Sequence, residues 1–254
     1  MSGRLTVIGL GPGDARWLTA EAHAALATAE AIYGYGAYLD RVPVLPGQMR
    51  HPSDNRDEQA RGAAALGHAA NGAHVAVVSG GDPGVFAMAA AVCAEIEAGP
   101  PAWRELNVAI VPGITAMLAV AARVGAPLGH DFCALSLSDN LKPWELIEHR
   151  LKAAASAGFV IAIYNPVSRA RPWQLGAAFD CVGRLLSGST PVIFGRAIGR
   201  MGEHVEVTTL GAAKSSAADM ATLVIVGSAD TRIVAREGRA PLVYTPRAAT
   251  MVHA

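Results

Sequence analysis

The stretch "VIGLGPGD", residues 7–14, decides how this sequence folds, because an apolar run of strand length ends there in alternating glycines. The pattern at first resembles the turn that holds the diphosphate of a dinucleotide in an α/β domain. Two residues argue against that interpretation. Pro12 offers no N–H to an anion, and Asp14 stands where the third glycine of the dinucleotide motif would be, with a charge that repels phosphate. The loop therefore either binds another kind of ligand or is a tight turn that Asp14 caps.

Three further loops have the same character. Each follows an apolar run and is rich in Gly, Pro, Asn or Asp: "SGGDPGVF" (79–86), "VPGITA" (111–116) and "YNP" (164–166). Open α/β sheets bind their ligands beyond the carboxyl ends of their strands. We therefore expect the four loops to face one cleft.

Apolar runs of strand length alternate with longer helical stretches along the chain, which predicts an α/β fold with mostly parallel sheets. Strands are predicted over 5–8, 74–78, 106–111, 132–137, 159–164, 191–195, 205–209 and 223–226, followed by a polar tail. Helices are predicted over 19–32, with Thr19 as N-cap, and over 58–70, 85–97, 115–124, 143–157 and 173–186. The Gly/Pro-rich segment 125–131 is the candidate hinge. We predict two α/β domains, residues 1–118 and 119–254.

The composition disfavours several classes of protein. Of the 254 residues, 52% are hydrophobic but only 6% are aromatic, which suits small-residue helices on buried strands better than a β-sandwich. Lys and Arg total 21 and Asp and Glu total 21, so no overall charge favours nucleic acid or a membrane as partner. Three scattered cysteines and the lack of a signal-peptide pattern or long apolar run lead us to expect a cytoplasmic protein.

Taken together, the four loop motifs make the sequence similar to the tetrapyrrole methylase family, the S-adenosylmethionine-dependent methyltransferases of corrin and sirohaem synthesis. Three segments most resemble the members that methylate a precorrin at C17 and contract its macrocycle in cobalamin biosynthesis: "GYGAYLD" (34–40), "FCALSLSDNLKPWELIEHRL" (132–151) and "YNPVSRARPWQL" (164–175). The resemblance implies two α/β domains, a methyl donor in the cleft between them, a small tetrapyrrole substrate and a homodimer.

The resemblance also implies which residues hold S-adenosylmethionine and its product S-adenosylhomocysteine. Carried over by motif, these cofactor-binding positions are Pro12, Gly80, Gly81, Asp82, Val85, Thr115, Ala116, Asn165, Ala197, Thr222 and Leu223. The last three match by their place in predicted strands rather than by a distinctive motif. The donor has a positive sulfonium and a zwitterionic end, which suit backbone carbonyls and an acidic corner such as Asp82.

A precorrin carries many carboxylates, so its binding surface needs arginines, which grip carboxylates with two parallel hydrogen bonds. Arg56 and Arg61 lie near the start of a predicted helix, and Arg169 and Arg171 lie just beyond the "YNP" loop. We predict all four as substrate-binding residues. For Arg56 and Arg61, a solvated surface position is an equally good interpretation.

Ring contraction also requires proton movement. One segment between a strand and a helix supplies the candidates for an acid or base: Ser136, Ser138, Asp139, Lys142 and Glu145. The catalytic residue stays unassigned, because Asp139 is equally well placed to cap the helix predicted at Pro143. The eight histidines show no metal-ligand spacing, so we expect no metal site. His130, in the hinge segment, is better explained as a hydrogen-bonded loop residue.

Other functions remain open. A member of the same family could methylate another precorrin carbon, such as C11 or C20, or an RNA ribose, although the neutral charge balance argues against RNA. A non-catalytic protein could bind the tetrapyrrole or the donor. A nicotinamide oxidoreductase, suggested by the opening glycines, would tolerate Pro12→Ala.

Overall fold

The computed structural model describes residues 3–248. The chain divides into two compact units, Met1–Ala116 and Met117–Ala254. The predicted hinge segment 125–131 lies inside the second unit, where Gly129 N donates to the Ala126 carbonyl (3.1 Å) and Thr245 Oγ1 donates to the Pro127 carbonyl (2.6 Å). Within the described range, no helix is both long enough and apolar enough to cross a membrane. No three His, Cys, Asp or Glu side chains of residues 3–248 are grouped as potential ligands of a metal ion.

The first unit is a parallel sheet with helices on both faces. Its strands are β1 (Arg4–Gly9), β2 (Ala31–Tyr35), β3 (Met49–Ser53), β4 (His74–Ser79) and β5 (Asn107–Val111). Its helices are α1 (Ala20–Thr28), α2 (Gly36–Leu39), α3 (Glu58–Ala70) and α4 (Met88–Ala98), with 3₁₀ turns at Ala15–Trp17 and Pro101–Glu105. The strand order is β3-β2-β4-β1-β5, and every neighbouring pair is parallel.

Alternate residues of the strands are buried on opposite faces of this sheet. On β1, Leu5 and Val7 pack in a cluster with residues of α3 and α4, whereas Ile8 packs in a cluster with residues of α1. Burial on both faces explains why β1 and β4 are continuous apolar runs in the sequence. Each fully buried side chain of this size contributes about 1.5–3 kcal/mol.

The topology of the first sheet predicts a ligand-binding region at the carboxyl ends of its strands. In the strand order β3-β2-β4-β1-β5, the connection from β1 to β2 runs toward the β3 end of the sheet. The connection from β4 to β5 runs in the opposite direction. Ligands of open α/β sheets bind beyond the carboxyl ends of the strands at such a reversal. The loops that follow β1, β4 and β5 occupy this edge, since the three strands are neighbours.

The second unit contains a mixed sheet. Its strands are β7 (Phe132–Ser136), β8 (Val160–Tyr164), β9 (Pro191–Arg196), β10 (His204–Thr209) and β11 (Thr222–Val226), in the order β10-β9-β11-β8-β7. Its helices are α5 (Ala116–Val124), whose first residue ends the first unit, α6 (Trp144–Ser156) and α7 (Gln174–Val182), with a 3₁₀ turn at Ser215–Ala217. The helices α6 and α7 pack on the sheet through residues such as Leu151 and Phe179.

The prediction of mostly parallel sheets is wrong for this unit. The pair β7–β8 is parallel, but β11 lies between β9 and β8 and runs antiparallel to both, and β10 is antiparallel to β9. Residues 197–203 join β9 directly to β10, its antiparallel neighbour, without a helix. Antiparallel neighbours need no crossover helix, so a short link suffices.

The segment after residue 226 is also different from the predicted polar tail. It forms a hairpin of β12 (Arg232–Arg236) and β13 (Arg239–Tyr244), and β13 pairs in parallel with the two-residue strand β6 (Gly125–Ala126). The residues of β12 are exposed and include two arginines, so a search for apolar runs did not detect this hairpin.

Most other predicted elements are present with shifted ends. Thr19 is the N-cap of α1, and its Oγ1 accepts from Ala22 N at 3.0 Å. The helix ends at Thr28 rather than residue 32, because Ala31 already begins β2, a strand that was not predicted. The edge strand β3 was also missed, and α4 begins at Met88 rather than residue 85.

Candidate functional site

The loops after β1 and β4 are joined through their backbones. Gly11 N donates to the Gly81 carbonyl (3.1 Å), and Gly81 N donates to the Gly11 carbonyl (2.9 Å). Both glycines have positive φ, 67° for Gly11 and 69° for Gly81, which L-residues rarely adopt. Leu10 N also donates to the Ser79 carbonyl (2.9 Å). The two loops therefore form one backbone unit.

The loop after β5 approaches this unit just as closely. A Cβ built on Gly9 would lie 2.6 Å from Gly113 N and 2.8 Å from the Gly81 carbonyl oxygen. A Cβ on Gly113 would collide with the same carbonyl oxygen and would lie 2.9 Å from Gly9 Cα. Glycines at these positions let three backbones meet where side chains would separate them.

Asp82 links the second loop to the third. Its Oδ1 accepts from Gly84 N (2.8 Å), and its Oδ2 accepts from Gly113 N (3.0 Å). Hydrogen bonds to a carboxylate are about twice as strong as neutral ones. The acidic corner predicted from the sequence is therefore first of all a clamp between two loops.

Asp14 caps the 3₁₀ turn that follows the first loop, as the tight-turn interpretation predicted. Its Oδ1 accepts from Arg16 N (3.1 Å), and its carboxylate pairs with the Arg16 guanidinium at 2.9 Å. The hydrogen bonds from Arg16 lower the pKa of Asp14. The carboxylate is thus ionised, and the positive charge of Arg16 balances it.

Beside Gly81 there is room for a Cβ at ordinary contact distance. A Cβ built on this residue would meet only the Cα of Thr115 at 3.8 Å and the Ile114 carbonyl oxygen at 4.0 Å. Thr115 is 5% exposed, and Ala116, which follows it, is the first residue of α5. Of the other predicted positions in this unit, Pro12 and Val85 are half-buried in the first and second loops.

A tyrosine and an arginine that the sequence analysis did not single out support these loops. A Cβ on Gly80 would lie 2.8 Å from ring carbons of Tyr38, so the ring packs directly on this glycine. Arg41, which lies with its guanidinium 6.0 Å from the Tyr38 ring centroid, donates to three carbonyls of the first loop. No local motif distinguishes Arg41, because the contact spans about thirty residues of sequence.

In the second unit, the predicted donor residues lie at one edge of the sheet. Asn165 follows β8, Ala197 follows β9, and Thr222 and Leu223 begin β11, which lies between those strands and runs opposite to them. Asn165 and Ala197 both have a φ of 50°. Left-handed backbone at residues other than glycine costs of order 1–3 kcal/mol and is concentrated at functional sites.

Both strained residues are held by hydrogen bonds. Asn165 Nδ2 donates to Ser136 Oγ (2.9 Å), and Ala197 N donates to the Ala221 carbonyl (3.0 Å). Thr222 Oγ1 donates to Asp219 Oδ1 at 2.8 Å. Hydrogen bonds from Arg196, Thr222 and Ala221 outweigh the effect of burial and lower the pKa of Asp219. The segments that carry Asn165 and Ala197 are therefore fixed within the unit.

Two of the four predicted substrate arginines are exposed, Arg56 and Arg169. Arg61 is instead 4% exposed, and its guanidinium donates to Ser53 Oγ (2.7 Å) and the Asp54 carbonyl (2.6 Å). Burial lowers the pKa of Arg61. An arginine enclosed in this way supports its own loop and does not present a surface to a substrate, so the prediction for Arg61 needs correction.

Arg171 pairs with a residue that was a candidate acid or base. Its guanidinium forms an ion pair with Asp139 and donates to Asn140 Oδ1. The N-cap of α6 is Pro143, without a side-chain cap, so Asp139 does not cap this helix. His130 Nδ1 accepts from Asp131 N (2.6 Å), as the loop interpretation predicted.

Comparison with known proteins agrees with the geometry of the loops. The family model of the tetrapyrrole (corrin/porphyrin) methylases matches residues 4–214. The precorrin-3B C(17)-methyltransferase of Sinorhizobium sp is 60% identical over 247 residues, 97% of each chain. A probable cobalt-factor III C(17)-methyltransferase of Salmonella typhimurium is 41% identical over 97% of this chain and 100% of that protein. The crystal structure of the methyltransferase CobJ has a TM-score of 0.91 and 48% identity, over 96% of this chain and 100% of that chain. The chain therefore belongs to the tetrapyrrole methylase family.

Proposed function

We propose that this protein is an S-adenosylmethionine-dependent methyltransferase that methylates C17 of precorrin-3B and contracts the macrocycle to precorrin-4 in cobalamin biosynthesis. The observation that carries the proposal is the 60% identity to a precorrin-3B C(17)-methyltransferase over nearly the whole of both chains. The glycine-rich loops at the carboxyl edge of the first sheet supply the physical support.

The hydrogen bonds of these loops favour a cationic donor over a dinucleotide. A diphosphate needs several unpaired backbone N–H groups. Here the N–H groups of five loop residues already donate within the protein: Leu10, Gly11, Gly81, Gly84 and Gly113. The Ile114 carbonyl lies near Gly81, and a carbonyl oxygen suits a positive charge. A nicotinamide oxidoreductase is accordingly disfavoured.

The proposed donor-binding residues are those that the family resemblance implies: Pro12, Gly80, Gly81, Asp82, Val85, Thr115, Ala116, Asn165, Ala197, Thr222 and Leu223. Asp82 joins the second loop to the third, and Thr115 directly precedes α5. In the second unit, Asn165 and Ala197 stand in strained conformations that hydrogen bonds maintain.

The chemistry asks the protein mainly for positioning. S-adenosylmethionine supplies a methyl group that its sulfonium already activates. Holding two reactants in line can lower a barrier by about 7–11 kcal/mol, so no nucleophilic side chain is needed for the transfer itself. The rigid, mutually bonded glycine loops suit this role.

For the substrate, we propose that Arg169 and Arg56 contact carboxylates of the tetrapyrrole, since both are exposed. Arg171 takes part through its ion pair with Asp139, which joins the segment after β8 to the segment after β7. The same pair restrains Asp139, one of the candidates for proton transfer. A homodimer, which the family resemblance implies, and a cytoplasmic location, expected from the sequence, complete the proposal.

A cobalt-bound substrate is the second candidate, because a relative named for cobalt-factor III is 41% identical over the full length. Parallel incubations of the purified protein and ¹³C-methyl donor with precorrin-3B or with cobalt-factor III, followed by NMR of the product, test both. A new methyl at C17 of a contracted ring supports the proposal. Turnover of cobalt-factor III alone identifies the second candidate, and a methyl at C11 or C20 contradicts both.

A non-catalytic protein would bind S-adenosylhomocysteine but transfer no methyl group to either substrate. The control for donor binding at this loop is Gly81→Val, which places a branched side chain at a φ of 69°. This variant should lose donor binding and, with it, methyl transfer.

A further inference from the structure

Arg41 makes an unusual set of contacts with the first glycine loop. A single guanidinium nitrogen, Nη2, donates to the carbonyl oxygens of Leu10 (3.0 Å), Gly11 (2.8 Å) and Gly13 (2.6 Å). Three carbonyl dipoles that point at one place repel one another, and a cation at their focus reverses the sign of that interaction. The conformation of the loop around Pro12 thus depends on Arg41.

The effect of Arg41 reaches the second loop through the backbone. The Gly11 carbonyl accepts from Arg41 and also from Gly81 N (2.9 Å), while Gly11 N donates to the Gly81 carbonyl. Any rotation of residues 10–13 that followed loss of the cation would break this pair of bonds. Tyr38 lies three residues before Arg41, and its ring packs on Gly80 of the second loop.

We propose that Arg41 is a positioning residue for the methyl donor, which holds the first two glycine loops in the conformation that binds it. This role rests on the proposed function, because it assumes that the loops bind S-adenosylmethionine. Arg41 itself need not touch the donor.

The test compares the whole chain with three variants. Arg41→Met removes the donors but keeps an unbranched side chain, whereas Arg41→Lys keeps a cation whose single nitrogen has three N–H donors, one for each carbonyl, in place of the two on Nη2. Gln48→Met is the matched control, since Gln48 Nε2 also donates to backbone carbonyls, those of Leu26 (2.7 Å) and Ala29 (2.8 Å), outside the glycine loops.

Calorimetric titration with S-adenosylhomocysteine should show that Arg41→Met weakens binding about tenfold to a hundredfold, as expected for lost hydrogen bonds to a charged group. Arg41→Lys should recover most of this loss, and Gln48→Met should bind as the unaltered protein does. Hydrogen exchange without any ligand should be faster at the Gly11 and Gly81 amides in Arg41→Met only.

The outcomes separate this inference from the proposed function. If the unaltered protein does not bind S-adenosylhomocysteine, the proposed function fails and the role of Arg41 fails with it. If the unaltered protein binds and Arg41→Met binds equally well, only the role of Arg41 is overturned. An equal loss in Gln48→Met, or unchanged exchange at Gly11 and Gly81, would also overturn it, because the effect would then be general destabilisation.

Discussion

One added methyl group, in Gly113→Ala, tests whether the three glycine loops are in direct backbone contact. The new Cβ would lie 2.9 Å from Gly9 Cα and would collide with the Gly81 carbonyl oxygen. Both neighbours are backbone atoms at the ends of paired strands, so neither can move as a flexible side chain would. Gly113 has no positive φ, so the effect is purely steric.

The expected cost follows from this crowding. Forcing an extra carbon into a packed site costs about 1–3 kcal/mol. Because the displaced backbone forms the proposed donor site, donor binding should weaken by about tenfold, which corresponds to about 1.4 kcal/mol. Gly67→Ala is the control: its Cβ meets nothing within 4 Å inside α3, and alanine should stabilise the helix by about 1 kcal/mol.

The assay combines two measurements on each variant. Native-state hydrogen exchange of β1 and β4 amides reports the free energy of unfolding of the first unit alone, which matters because a chain with two units need not unfold in one step. Calorimetry reports the affinity for S-adenosylhomocysteine. A Gly113→Ala protein with unchanged exchange and unchanged affinity would refute the close approach of the loops.

The remaining predictions concern both units. Burial, and secondarily His68, lower the pKa of His51, so the unfolded chain binds a proton near pH 6.5 that the folded unit takes up only at lower pH. Stability should therefore decrease as the pH falls below about 6.5, and His51→Phe, which keeps the stack on Tyr33, should flatten that decrease in urea unfolding midpoints. An equally steep decrease in the variant would assign it to other groups. Arg169→Ala should raise the KM for the tetrapyrrole while calorimetry shows unchanged donor affinity; an unaltered KM would remove Arg169 from the substrate site. Ala197→Gly should stabilise the second unit by about 0.5–1 kcal/mol, because glycine relieves the left-handed backbone. Faster hydrogen exchange of the β9 amides would contradict this. It would show that the strain energy at Ala197 is smaller than the entropic cost of ordering a glycine there.

The glycine loops were predictable because their signal is local. A buried strand that ends in Gly, Pro or Asp is visible within about ten residues, and the loops after β1, β4 and β5 meet through the backbone as that pattern indicates. Chain direction has no such local signal. The same apolar pattern at residues 223–226 fits a parallel or an antiparallel strand, and β11 is antiparallel.

Elements with little apolar character were missed for a related reason. β3 contains Arg50, His51 and Pro52 at a sheet edge, where burial on both faces is not required. The alanines before Ile32 continued the helical pattern of α1 into β2. A polar context likewise suggested a surface position for Arg61, although tertiary contacts bury it.

The most direct test of the account is a crystal structure of the protein with S-adenosylhomocysteine. We predict that the ligand binds beside Gly81 and Thr115, with its sulfur next to the two loops that Asp82 joins. A ligand bound at any other place on the chain would contradict the assignment of these loops to the methyl donor.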